Sequence, residues 1–224
     1  MAETDGFRSI VVASQSVTWL AGQLLKLRFA VEKHRPPELF ERDHERCLIL
    51  APTHQSLLDP WLIMSAMRFR QWRALLPLRP LATQTFHGPL RLLKPLIRIL
   101  YRIEGAVELP PKEEGGSLPE KLQETLDALL EGDVVMIFPE GDIGKEAPPV
   151  GKFAPGVVYL ERSSGAQIVP MAIWMGERHW PRRRYVIEIG RPLHVPETLD
   201  LEAGADWLRE RTLELYHRAK ARAS

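Results

Sequence analysis

A histidine and an aspartate five positions apart, His54 and Asp59, are the residues whose types and spacing best suit catalysis. They follow an apolar run that ends at Ala51-Pro52, and an apolar helical pattern comes after them. An imidazole can take a proton from an alcohol, and a carboxylate against its other nitrogen fixes the tautomer and stabilises the imidazolium. The pair is therefore a candidate for activating a hydroxyl. The alternative is structural, because an Asp before Pro60 is also typical of a helix N-cap.

A carboxylate at the end of a predicted strand is the second candidate. The apolar run 134–138 stops at Pro139 and is followed by Glu140 and Gly141. In open α/β sheets, ligands bind at the carboxyl edge of the strands, where Glu140 is expected to lie. Taken alone, the tripeptide 139–141 is equally well explained as an ordinary solvated turn.

Short apolar runs alternate with helical patterns after Pro36-Pro37, and this alternation predicts an α/β fold. We expect a single domain with a largely parallel sheet flanked by helices, because several runs are apolar throughout and suit a sheet covered on both faces. The predicted strands are 46–51, 81–83, 106–109, 133–138, 167–174 and 185–189, and the predicted helices are 60–69, 89–101, 118–130, 157–163 and 203–221. The predicted organisation is an N-terminal helical segment over 1–35 and the α/β domain over 36–224.

An amphipathic helix is predicted in the N-terminal segment. Its apolar residues recur at steps of three and four: Ile10, Ala13, Val17, Leu20, Leu24, Leu27 and Val31. This stripe either packs against the protein's own core or inserts into a membrane surface. The uncharged stretch 9–25 is too short and too polar to predict a spanning helix. The acidic residues Glu3 and Asp5 do not fit the basic leader of a secretory signal.

Composition excludes several classes of protein. With 224 residues, of which 45% are hydrophobic and 26% charged, the chain has the makeup of a folded globular protein. A net charge of +1 argues against attraction to nucleic acid by the overall field. The single cysteine, Cys47, excludes an internal disulfide and a cysteine-rich metal site, and it favours a reducing compartment.

Although the net charge is close to zero, basic residues are concentrated in two segments of the chain. The first, Arg91, Lys94, Arg98 and Arg102, recurs at helical spacing opposite an apolar face formed by Leu93, Leu96, Ile97 and Leu100. Such a helix either lies on an anionic membrane or presents a solvated cationic face. The second cluster, residues 174–185, mixes Trp with Arg and suits a charged loop, a membrane anchor or a grip on coenzyme A phosphates.

The two candidate motifs together resemble those of the 1-acylglycerol-3-phosphate acyltransferases and related lysophospholipid acyltransferases. The first motif of that family is a His, four residues and an Asp, with a Ser two positions after the His, and it is matched by His54, Ser56 and Asp59. The Phe-Pro-Glu-Gly motif is matched, about eighty residues downstream, by Phe138, Pro139, Glu140 and Gly141. The apolar run 169–173 resembles a further strand motif, so that order and spacing agree across residues 46–175.

The resemblance implies transfer of an acyl chain from a thioester of coenzyme A or acyl carrier protein to a hydroxyl, usually on a lysophospholipid. By the same resemblance His54 is the general base, Asp59 orients it, and Glu140 and Gly141 help to bind the acceptor. We group Ser56, Phe138, Pro139 and Lys145 with them as substrate-binding residues. We expect no cofactor or metal, membrane lipids and the thioester as partners, and a peripheral location on the inner face of the membrane. A catalytically inactive lipid-binding relative is the alternative.

The sequence departs from the family where the acceptor's phosphate is expected to bind. In the family, Phe-Pro-Glu-Gly continues Thr-Arg-Ser, whereas here Asp142-Ile143-Gly144-Lys145 follows. The segment that aligns with the second family motif, 105–111, also supplies no Arg. A guanidinium that grips phosphate with two hydrogen bonds has no uncharged substitute. Either Lys145, Lys152 and Arg178 replace it, or the acceptor is a sugar, an aminolipid or another lipid without a phosphomonoester, which the missing contacts favour.

Overall fold

The computed structural model describes residues 2–35, 48–83, 94–110, 115–141, 149–176 and 182–223. The helices are α1 (Ala2–Gly22, continued by a 3-10 helix over Gln23–Leu27), α2 (Asp59–Ala66), α3 (Phe69–Arg73), α4 (Lys94–Ile103), α5 (Leu118–Leu130), α6 (Gly156–Ser164) and α7 (Leu201–Ala223). The strands are β1 (Phe29–His34), β2 (Leu48–Pro52), β3 (Leu78–Thr83), β4 (Val107–Leu109), β5 (Val134–Met136), β6 (Gln167–Met175) and β7 (Arg183–Ile189).

These seven strands form one sheet in the order β1-β7-β6-β2-β5-β3-β4. Neighbouring strands run parallel, except that β6 and β7 are antiparallel. The predicted α/β fold with a largely parallel sheet is confirmed. Strands β2 and β5 are direct neighbours, with Ile49 opposite Val135, so their carboxyl ends meet at one edge of the sheet.

Helices cover both faces of the sheet, which explains the uninterrupted apolar runs of its strands. In β2, Ile49 and Ala51 pack into a core built with α5, α6 and α7. Leu50 points to the opposite face, where it packs with residues of α2 and α3. A strand that buries both of its faces has no place for the alternating polar residues of a half-exposed strand.

The predicted helix 118–130 is confirmed as α5, and local capping sets its start. Ser117 accepts a hydrogen bond from the backbone N–H of Glu120, whose carboxylate accepts from the N–H of Ser117 in return. This reciprocal capping box satisfies two N–H groups that the first turn of a helix leaves without partners. The predicted helix 60–69, by contrast, is interrupted. It ends at Ala66, and the next residue, Met67, is extended. The carbonyl of Met67 accepts a hydrogen bond from the indole N–H of Trp19.

The N-terminal helix ends earlier than predicted. Residues 29–34 form strand β1, which pairs in parallel with β7 from Phe29 opposite Arg183 to His34 opposite Glu188. Val31 follows Leu27 by four positions, a spacing that fits a helix and, being even, also fits one face of a strand. Phe29 and Val31 pack against the core on the α2 side of the sheet, and this contact favours the strand.

The apolar stripe of α1 faces solvent, so the interpretation that it packs against the protein's own core is wrong. Its members Ile10, Val17, Leu20, Leu24 and Leu27 are each more than half exposed. The opposite face packs on the domain through the buried Val11 and Gln15, and the Gln15 side chain accepts from the N–H of Leu78 in β3. Within the part of the chain that the structure describes, no helix has the length and apolar content needed to cross a bilayer.

Helix α4, which carries most of the first basic cluster, also has an exposed apolar face. All its residues are at least partly exposed, and four large apolar side chains are among the exposed ones: Leu96, Ile99, Leu100 and Ile103. Arg98 and Arg102 lie on the same helix, while Arg91 and Leu93 fall outside the described residues. Glu104, directly after α4, accepts hydrogen bonds from Ser14 and Thr18 of α1, so the two helices with exposed apolar faces are neighbours.

Candidate active site

The turn between β2 and α2, residues 53–58, holds His54 against Asp59. Thr53 anchors the start of this turn to β6, because its N–H donates to the carbonyl of Met171 and its hydroxyl accepts from the N–H of Ile173. Nδ1 of His54 lies 2.9 Å from Oδ2 of Asp59. A carboxylate can only accept, so Nδ1 carries the proton and the lone pair of Nε2 is the basic position of the ring.

Asp59 is fully buried and has donors on both of its oxygens. Besides Nδ1 of His54, Oδ2 accepts from the backbone N–H groups of Gln55 at 2.6 Å and Ser56 at 2.8 Å, and Oδ1 accepts from the hydroxyl of Tyr185 at 2.8 Å. Buried charge is tolerated when it is hydrogen-bonded in this way. Asp59 is the first residue of α2, and its carboxylate turns back to the preceding turn. The N-cap interpretation of this residue is therefore wrong.

The turn after β5 meets the β2–α2 turn because the two parent strands are neighbours. The ring of Phe138 stacks on the imidazole of His54, with 4.2 Å between centroids and 27° between planes. Oε1 of Glu140 accepts from the backbone N–H of His54 at 2.9 Å. Gly141 closes this turn by donating its N–H to the carbonyl of Phe138, with a φ of 75° that favours glycine. Pro139 is buried at the centre of the turn, and its carbonyl accepts from Ala154.

Both carboxylate oxygens of Glu140 accept hydrogen bonds from backbone N–H groups of the protein. Oε2 accepts from the N–H of Gly151 at 2.8 Å, while Oε1 holds His54. A Cβ at position 151 would lie 2.8 Å from Oε2 of Glu140, so a side chain there would displace the carboxylate or the loop. Arg209 of α7 fixes the same loop from outside by donating to the carbonyls of Val150 and Gly151. Glu140 is thus a clamp on the backbone of the candidate base, and the ordinary solvated turn is excluded.

The structure adds three residues that the sequence does not indicate: Tyr185, Gly151 and Arg209. Each reaches the site from a distant part of the chain, and Tyr185 is 126 positions from Asp59. A tyrosine in an apolar run indicates that a buried hydroxyl needs a hydrogen-bond partner. The sequence does not indicate which residue that partner is. Burial and the neighbouring Asp59 carboxylate raise the pKa of Tyr185 well above its usual value, so the phenol stays protonated and donates.

Some of the remaining predicted site residues lie within the described residues and others lie outside them. Ser56 is part of the β2–α2 turn, where its hydroxyl accepts from the N–H of Leu58 at 3.2 Å. Lys152 is exposed and follows Gly151 directly. Lys145 and Arg178 lie outside the described residues. Among the residues that are described, no group of three or more His, Cys, Asp or Glu side chains is arranged to hold a metal ion.

Comparisons with known proteins identify a family and a similar fold. Residues 30–174 match the model of a protein family described as Acyltransferase. The fold is similar to that of the crystal structure of the 1-acyl-sn-glycerophosphate (LPA) acyltransferase PlsC from Thermotoga maritima, with a TM-score of 0.66 and 19% sequence identity. That alignment covers 99% of this chain and 84% of the other. No curated protein matches the chain. The matched region includes both turns of the site and ends before β7.

Proposed function

The chain belongs to the acyltransferase family, and from that premise we propose that it transfers a fatty acyl group from a thioester to the hydroxyl of a lysophospholipid or a related lipid. The observation that carries this proposal is the 2.9 Å contact between Nδ1 of His54 and the buried carboxylate of Asp59. That contact orients the ring and stabilises its protonated form, as a general base for an alcohol requires.

In the proposed reaction, Nε2 of His54 takes the proton of the acceptor hydroxyl while its oxygen attacks the thioester carbonyl carbon. The new C–O bond forms as the carbonyl electron pair moves to oxygen, giving a tetrahedral oxyanion. When this intermediate collapses, the C–S bond breaks and the imidazolium returns its proton to the departing thiolate. The products are an ester and a free thiol, and the step balances with a coenzyme A or acyl carrier protein thioester as the co-substrate.

Two features of the site support this role for His54. The ring of Phe138 stacks on the imidazole and the clamp from Glu140 fixes its backbone, so little freedom is lost when the transition state forms. A positioned general base contributes on the order of 10²- to 10⁴-fold in rate. The N–H groups of Gln55 and Ser56 already donate to Asp59, so the oxyanion takes its hydrogen bonds from other donors.

We propose that the enzyme is peripheral on the inner face of a membrane, with the exposed apolar faces of α1 and α4 in contact with lipid. The cations Arg102 on α4 and Lys26 beside the stripe of α1 complement an anionic surface, whereas Arg98 is paired with Glu108. Exposed apolar side chains also lie near the site in the sequence, since Leu57 is in the β2–α2 turn and Trp61 is in the first turn of α2, which begins at Asp59. A lipid acceptor at the membrane surface would therefore meet exposed apolar side chains beside the turn that carries His54.

The proposal must also name a residue that binds the phosphate of the acceptor, because the sequence lacks the arginines of the family motifs. The similar solved structure is that of a 1-acyl-sn-glycerophosphate (LPA) acyltransferase. Of the three cations considered as phosphate ligands, Lys152 is described and lies in the loop that Glu140 clamps. We propose a lysophospholipid as acceptor with Lys152 near its phosphate, and a hydroxylated lipid without a phosphomonoester as the competing possibility.

The test is a substrate panel with the purified protein. Acyl-coenzyme A, or acylated carrier protein, is offered with mixed vesicles that hold either 1-acylglycerol 3-phosphate or a phosphate-free acceptor such as a monoacylglycerol, and the products are identified by lipid mass analysis. We expect a new diacyl lipid together with free thiol. Absence of any new ester across the panel, with both thioesters left intact, would overturn the proposed function.

A further inference from the structure

The hydroxyl of Tyr185 and the carboxylate of Asp59 form a buried hydrogen bond between two distant elements. The donor is on β7 and the acceptor is the first residue of α2, and the two oxygens are 2.8 Å apart. Both residues are fully buried. Tyr185 lies outside the region 30–174 that matches the family model.

We propose that Tyr185 is a positioning residue for acyl transfer, acting through Asp59 on the base His54. This inference rests on the proposed function, in which His54 accepts the proton of the alcohol. Oδ2 of Asp59 faces His54 and two backbone N–H groups, and Oδ1 is held by Tyr185 alone among the described residues. With a donor at each oxygen, the carboxylate cannot rotate, and the lone pair that orients the imidazole stays in place.

The tyrosine ring is itself fixed, so that its hydroxyl has a defined position. Tyr185 pairs with Val31 of β1 on one side and with Met175 of β6 on the other. Its ring makes an edge-on contact with the ring of Phe29, with 6.3 Å between centroids. Because these neighbours are parts of the sheet, the tyrosine is anchored in the sheet and its hydroxyl reaches α2 from there.

The hydroxyl also tunes how strongly Asp59 attracts the proton of His54. A hydrogen bond to a carboxylate spreads its negative charge and weakens its pull on the imidazolium. Without the hydroxyl, more of that charge falls on Oδ2, and the attraction between Asp59 and the imidazolium of His54 grows. The ionisable groups in described contact with this pair are Tyr185 itself and Glu140, which touches the backbone N–H of His54.

The test is Tyr185→Phe, which removes the hydroxyl and keeps the ring. We expect kcat to fall about ten- to one-hundred-fold, the size of a lost hydrogen bond to a charged group. KM should change little, because Tyr185 touches Asp59 rather than a substrate. The acid limb of the kcat profile should move to higher pH, because the carboxylate then attracts the imidazolium more strongly. The matched control is Tyr216→Phe on α7, a half-buried tyrosine away from the site, and it should behave as wild type.

Two results would overturn the inference. One is that kcat and the acid limb of Tyr185→Phe equal those of wild type, and the other is a loss of activity that follows a lowered melting temperature while the pH profile stays unmoved.

A double-mutant cycle adds a second readout, since Tyr185→Phe should reduce kcat much less in an Asp59→Asn background. If Tyr185→Phe does not fold, 3-fluorotyrosine at position 185 replaces it. Its more acidic hydroxyl should move the acid limb to lower pH, and an unmoved limb contradicts the inference. Full activity of His54→Ala would instead refute the proposed function, so the two failures are distinguishable.

Discussion

The backbone N–H of His54 donates to Oε1 of Glu140 at 2.9 Å, across 86 positions of sequence. This hydrogen bond joins the two motifs that the sequence singles out, and it does so through the backbone of the candidate base. The second oxygen of Glu140 accepts from Gly151, so the carboxylate bridges the β2–α2 turn and the loop that leads to α6. The position of His54 consequently depends on Gly151, a residue without a side chain, because both backbones bind the same carboxylate.

Gly151→Ala is expected to impair catalysis through this bridge. Its Cβ would lie 2.8 Å from Oε2 of Glu140, so the carboxylate or the loop must shift and the hold on His54 loosens. We expect about a tenfold or greater loss of kcat and a loss of about 1–3 kcal/mol in the free energy of unfolding. Steady-state kinetics and thermal unfolding measure the two effects.

Gly115→Ala is the matched control, because a Cβ at position 115 would meet no atom within 4 Å. It should leave kcat and the melting temperature close to wild type. Equal kinetics for the two variants would mean that Glu140 does not hold His54 in the working enzyme.

Substitution of the exposed stripe of α1 is expected to weaken membrane binding. Leu20 and Leu24 are 65% and 67% exposed and point away from the domain, so Leu20→Glu with Leu24→Glu should leave the fold intact. The two carboxylates remove apolar contact with lipid and repel an anionic surface. We expect at least a tenfold drop in co-sedimentation with anionic vesicles at low salt, and a smaller loss of activity on a water-soluble acceptor than on a vesicle-bound one.

Leu130→Glu serves as the control, since Leu130 at the end of α5 is 63% exposed and lies outside the stripe. Vesicle binding should survive this change. If all variants bind alike, the stripe of α1 is not the membrane contact.

The stability of the fold is expected to depend on pH through Lys33 of β1. Burial, followed by the positive charges of Arg35, Arg68 and Lys26, lowers the pKa of Lys33 to about 8. In the unfolded chain its pKa is near 10.4, so folding disfavours the protonated form. The penalty is full below about pH 8 and disappears as the pH rises toward the unfolded value, and stability therefore gains across that window.

Lys33→Met should accordingly be more stable than wild type at pH 7, by about 1 kcal/mol because solvent screens a half-buried charge. The advantage should shrink at pH 10, as measured by chemical denaturation at both values. Lys121→Met on α5 controls for the change in hydrophobicity. An advantage of equal size at both pH values would contradict the assignment of the penalty to charge.

The sequence predicts what depends on neighbours along the chain. The start of α5 is set by the capping box of Ser117 and Glu120, two residues that are close in the sequence. The meeting of His54 with the 138–141 turn follows from parallel strands whose carboxyl ends share an edge. The family inferred from these motifs is confirmed by the match over residues 30–174.

Features that depend on distant partners are not predictable in this way. The spacing of Leu27 and Val31 suits a helix and a strand alike, and pairing with β7 decides between them. The stripe of α1 shows that one face of the helix is apolar but not whether that face meets the core or solvent. Gln15 fixes the opposite face to β3, so the stripe faces solvent. Tyr185 reaches Asp59 only because β7 returns antiparallel beside β6.

The most direct test of the account compares His54→Ala with His217→Ala, an exposed histidine on α7, in acyl transfer from a thioester to a vesicle-bound lipid hydroxyl. The account predicts that His54→Ala loses on the order of 10²- to 10⁴-fold in kcat while it keeps the wild-type melting temperature and vesicle binding, and that His217→Ala retains full activity. Acyl transfer by His54→Ala at the wild-type rate would contradict it.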